Sequence, residues 1–95
     1  MSISRVVSKV YIKFLSGKKV TLTDKQYDYI PLLERSEPNY WELSIFDRQC
    51  FDSMWKKELI YYNSPSTEMR FLIKTIHLTD LGKQVLEEIK KVKND

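Results

Sequence analysis

The side chains best equipped for chemistry in this sequence are lysines. Lys9, Lys13, Lys18 and Lys19, together with Arg5, fall within residues 1–23, a stretch with no aspartate or glutamate. An unbalanced cluster of this kind attracts phosphate or an acidic protein face. Lysines on a strand also guard its edge against pairing with other chains. Residues 24–60 carry five basic and eight acidic side chains and residues 61–95 six and five, so the 95-residue chain has a net charge of +3.

Catalytic chemistry finds little to work with. The chain has no phosphate-cradling glycine-rich loop and no nucleophile elbow. Its one histidine, His77, and one cysteine, Cys50, do not make a zinc site. His77 reads as a strand residue facing solvent or holding a hydrogen bond. Cys50 lacks a local activating partner and reads as a small apolar residue. Asp24 and Asp28 share a helical face, but acids in a first turn are favoured by the helix dipole. Tyr61, Tyr62 and Phe71 could stack on bases, although cross-strand or core packing accounts for them as well. No enzyme activity, metal or cofactor is expected.

The elements that must position the lysines follow from periodicity. Val10, Ile12 and Phe14 alternate on one face, Val20 and Leu22 on another, and Ser16-Gly17 lies between, the pattern of a β-hairpin. Thr23 and Gln26 form a capping box that opens a helix carrying Tyr27, Ile30 and Leu33 or Leu32 inward. Pro31 predicts a kink or a restart in that helix. Residues 34–39 read as a loop. Trp41, Leu43 and Ile45 alternate like a strand, yet residues 40–46 could equally form a short helix. Asp47 is the expected N-cap of a helix over 47–58, with Cys50, Phe51, Met54 and Trp55 inward and Arg48, Gln49, Asp52, Ser53, Lys56 and Lys57 outward. Strands are predicted at 59–62 and 70–78, joined by a polar turn. Thr79 then caps a last helix with the stripe Leu81, Val85, Ile89 and Val92.

Helix, short element, helix, strand, turn, strand, helix is the order of a winged helix-turn-helix. Two further fragments carry the resemblance. Glu58-Leu59-Ile60 stands where winged-helix regulators have a Gly-Leu-Ile step, with Glu58 in place of the glycine. Leu78-Thr79-Asp80-Leu81-Gly82 is similar to the Leu-Thr-x-x-Gly sequence that opens their last helix. The expected fold is therefore α+β, one domain: a basic hairpin extension over 1–23, a winged-helix core over 24–92 and a tail over 93–95.

The resemblance implies a DNA-binding transcriptional regulator, and the single cysteine and lack of a long apolar run lead to the expectation of a cytoplasmic protein. The helix at 47–58 would enter the major groove of double-stranded DNA, and 63–69 would be the wing. Arg48, Gln49, Ser53, Lys56, Lys57 and Arg70 are then the expected DNA contacts, with Lys18 and Lys19 added from the hairpin. A homodimer through the helix at 79–92 is the expected assembly. The 47–58 helix is charge-neutral, which supports a second reading: an adaptor or inhibitor, from a virus or other mobile element, that binds a protein partner through the same scaffold. No apolar run suffices for a membrane span.

Overall fold

Val10 and Ile12 alternate with Lys9, Tyr11 and Lys13, so one face of this strand is apolar and the other charged, and the first sheet forms around that difference. The computed structural model describes residues 2–6, 9–66, 68 and 72–93. Strands β1 (Ser2–Val6), β2 (Lys9–Lys13) and β3 (Lys19–Thr23) make an antiparallel sheet in the order β1-β2-β3. The expected hairpin is β2–β3, with Val10 opposite Leu22 and Ile12 opposite Val20. The strand β1, which pairs Ile3 with Ile12, was not anticipated.

Helix α1 (Asp24–Arg35) starts at the predicted capping box: the Gln26 amide nitrogen donates to the Thr23 hydroxyl at 3.2 Å, and the Thr23 amide donates to Gln26 Oε1 at 3.1 Å. The helix does not restart at Pro31: α1 runs through it as one helix of 12 residues. Proline removes one amide donor, and burial of Tyr27, Ile30 and Leu33 on the inner face holds the helix across that gap.

Residues 40–46 follow the helical alternative and not the strand. Asn39 forms an isolated bridge with Thr75, Tyr40–Glu42 make one 3₁₀ turn, and helix α2 spans Ile45–Lys56. The N-cap of α2 is Ser44, not Asp47. Its hydroxyl accepts from the Asp47 amide at 3.2 Å, which moves the helix two residues earlier than the predicted 47–58. Strand β4 (Ile60–Asn63) pairs with β5 (Thr75–Leu78), Ile60 lying opposite Leu78. The strand predicted over 70–78 is thus shorter; Leu72 is exposed and does not share a face with Ile76. The proposed wing over 63–69 becomes a longer connection, of which residues 67 and 69–71 lie outside the described set.

Helix α3 (Asp80–Lys93) closes the domain. Thr79 caps it, its hydroxyl accepting from the Gly82 amide at 3.1 Å and donating to the Glu58 carbonyl at 2.5 Å. Glu58 has φ 62°, the left-handed conformation that ends many helices. Gly82 is needed for contact: a Cβ there would lie 2.1 Å from the Leu59 carbonyl oxygen. The two motif fragments therefore meet in space. One core joins all layers through Val10, Ile12, Leu22, Ile30, Met54, Leu59, Ile76, Val85 and Ile89.

Candidate nucleic-acid interface

The first sheet buries Val10, Ile12, Val20 and Leu22 and exposes Lys9, Tyr11, Lys13 and Lys19. Lys13 and Lys19 are direct cross-strand neighbours. Like charges placed opposite each other destabilise a sheet. Among the described residues, no carboxylate forms an ion pair with Lys9, Lys13, Lys18 or Lys19. The turn between β2 and β3 is closed by the Gly17 amide donating to the Phe14 carbonyl and the Phe14 amide to the Lys18 carbonyl, both at 2.9 Å. Gly17 takes φ 91°, and Leu15 beside it is 86 % exposed.

Helix α2 treats its charged residues differently. Arg48 turns back along the chain: its guanidinium donates to the carbonyls of Tyr40 at 3.2 Å and Trp41 at 2.7 Å. Asp47 accepts the Tyr29 hydroxyl. Asp52 accepts two phenols, from Tyr40 at 2.8 Å and Tyr62 at 2.7 Å. Each phenol is held in its neutral form. The Asp47 hydrogen bond, then burial, push Tyr29 up to about 12; burial, then Asp52, raise Tyr40 and Tyr62. Gln49 and Lys56 remain outward as expected, and Ser53 is half-buried. Ile45 and Phe46, at the start of the helix, are 69 % and 74 % exposed. Trp55, predicted inward, is also exposed.

Lys57 does not face solvent as expected. Its ammonium donates to the Thr21 carbonyl at 2.6 Å and to Gln26 Oε1 at 3.1 Å. Burial, and then the charge of Lys9, lower its pKa. The end of α2 therefore adjoins the β3 edge and the Lys9 end of the sheet. Lys13, Lys18 and Lys19 lie at the other end of the strands, about 13 Å further on for four residues of strand.

A second cluster was not readable in advance. The Lys74 ammonium lies 4.2 Å from the ring centroids of both Tyr40 and Tyr62 and 5.4 Å from that of Trp41. Tyr40 and Tyr62 meet edge-on, and Trp55 stacks on Tyr62. Asp52 and Lys74 thus fasten the end of the connection before β5 to α2. Arg70 and Phe71, named as a contact and a stacking residue, lie outside the described residues. His77 shares a 2.7 Å hydrogen bond with Thr75 and stacks on Tyr61. Beside it an open groove of about 740 Å³ carries charges of both signs, Glu34, Glu37 and Glu87 with Arg35 and Lys83. Among the described residues no three His, Cys, Asp or Glu side chains come together as a metal site.

These elements define a small α+β domain: an N-terminal antiparallel sheet, two helices, a β-hairpin and a C-terminal helix. No family model matches the chain, and no curated protein or solved structure matches it either. No described helix is long and apolar enough to cross a membrane.

Proposed function

We propose that the protein is a winged-helix regulator that binds double-stranded DNA, with α2 in the major groove, the β4–β5 hairpin as its wing and the lysines of the first sheet on the phosphate backbone. The observation that carries this reading is the exposed row Lys9, Lys13 and Lys19, with Lys18 at the turn, unpaired with any described carboxylate. A surface that keeps mutually repelling cations is suited to a polyanion, because affinity for DNA comes chiefly from phosphate neutralisation. The element order supports the scaffold, as do the bridge from Asn39 to Thr75 and the Glu58–Thr79 junction.

The test is fluorescence anisotropy with a labelled 25-base-pair duplex from low to physiological salt. Binding should weaken steeply with salt, and the triple variant K9E/K13E/K19E should lower the slope of log K against log salt by roughly three, one for each lost phosphate contact. Undetectable binding at the lowest salt would exclude the reading.

A second reading, a protein-interaction module, is favoured by one observation: Ile45 and Phe46 are the most exposed apolar pair on α2. Burial of such a pair against an apolar partner would be favourable. A homodimer through the 79–92 helix draws no help from packing, since Val85 and Ile89 already face the chain's own core.

A further inference from the structure

Three of the four charged side chains of α2 are spoken for. Asp47 and Asp52 hold tyrosines, Arg48 holds the Tyr40 and Trp41 carbonyls, and Asp47 itself sits at the third position of the helix. Only Lys56, the last residue of the helix, is exposed. What α2 offers outward is a ridge of Ile45, Gln49 and Lys56, flanked by Phe46 and the half-buried Ser53, with Trp55 exposed beside Lys56 at the far end. Resting on the DNA-binding reading above, we infer that α2 reads A·T base pairs, with Gln49 on an adenine edge and Ile45 and Phe46 on thymine methyl groups.

In the major groove, guanine is read by the forked or point cations of Arg and Lys, cytosine by carboxylates, adenine by the amide of Asn or Gln, and thymine by apolar contact with its methyl group. Arg48 is withdrawn from guanine, and Asp47 and Asp52 are withdrawn from cytosine. Glu42 belongs to the 3₁₀ turn and is not on the helix ridge. The N-terminal residues of a recognition helix reach the bases. Those residues here are Ile45, Phe46 and Gln49. Ile45 and Gln49 are one turn apart, about 6 Å along the axis, so they address base pairs about two steps apart. Lys56 lies about 10 Å beyond Gln49, at the end of the helix, where the phosphate backbone flanks the groove. The uncompensated sheet lysines supply the sequence-independent attraction that this neutral ridge lacks.

The experiment is selection from a random 25-base-pair duplex pool at low salt, followed by titration of the selected site and of the same site with deoxyuridine replacing thymidine. Deoxyuridine keeps the pairing and lacks only the methyl group. The selected site should contain neighbouring A·T pairs. Wild-type affinity should fall about five-fold or more on the deoxyuridine duplex, the lower end of what one base contact contributes. Ile45→Ala/Phe46→Ala should lose that difference, and Gln49→Ala should lose the adenine preference. All three positions are exposed, so circular dichroism should show unchanged folding. Binding with no A·T preference, or with equal affinity for both duplexes, overturns the inference and leaves the DNA-binding reading standing. Failure to bind any duplex at low salt overturns both.

Discussion

Replacing Gly82 by alanine should unfold the domain at a markedly lower temperature, although alanine is the better helix former. The added Cβ would lie 2.1 Å from the Leu59 carbonyl oxygen and 3.1 Å from Leu78 Cδ2. Leucine's methyl can rotate away; the carbonyl is backbone and cannot. Reaching even 3.0 Å requires α3 to recede by about 0.9 Å. That movement stretches the Thr79 amide bond to the same Leu59 oxygen, 3.0 Å long, and loosens Val85, Leu86 and Ile89 against the core. Overpacking of this kind costs about 1–3 kcal/mol and a weakened backbone hydrogen bond about 1 kcal/mol more. Alanine returns about 1 kcal/mol of helix propensity. The net loss is about 2 kcal/mol. For a domain of this size each kcal/mol moves Tm by about 4–8 °C, so a fall of roughly 10 °C is expected. Urea unfolding followed by tryptophan fluorescence, with a thermal melt alongside, measures it. An unchanged or higher midpoint would refute the close approach of α3 to the Leu59 backbone and with it the account of why the glycine stands there.

Glu58→Gly should stabilise the domain by about 1 kcal/mol, because a left-handed φ of 62° strains an L-residue and not glycine; a raised urea midpoint checks it. Gly17→Ala should cost about 1–2 kcal/mol from conformation alone, since φ is 91° and nothing lies within 4 Å of the added carbon. Lys74→Met should lose about 1 kcal/mol by removing the cation from between Tyr40 and Tyr62, whereas Lys74→Arg should retain much of it in the same melt. The raised tyrosines give a pH dependence: stability is fully present below the ordinary tyrosine pKa of about 10 and is lost as pH rises toward the folded value of about 12 at Tyr29, and beyond it at Tyr62. Urea midpoints between pH 8 and 11.5 should fall, and fall less in Tyr29→Phe.

The elements that could be read from the chain are those whose cause is local. The β2–β3 pair was visible because burial of one face forces the alternation of Val10, Ile12, Val20 and Leu22. The α1 start was visible because Thr23 and Gln26 are three residues apart. The start of α2 was misread for a related reason: Ser44 and Asp47 also stand three apart, but Ile45 and Phe46 between them are exposed and break the inward stripe that marks a helix. The reach of Arg48 and Lys57 was not legible. Both end on main-chain carbonyls, which any residue supplies, and the carbonyl that takes Lys57 belongs to Thr21, 36 positions away. The same holds for Asp52, whose two tyrosines are brought together only when the hairpin folds onto α2.

Gln26 has a wider role than capping. It is 1 % exposed. Its Oε1 accepts from the Thr23 amide and from Lys57, and its Nε2 donates to the Cys50 carbonyl at 3.2 Å. One amide therefore ties together the last strand of the first sheet, the start of α1 and two turns of α2. The first sheet and α2 are thereby fastened to each other, and under the DNA-binding proposal a duplex that touched both would meet them at a fixed separation. Such a ligand would spend less of its binding energy on bringing the two elements into register.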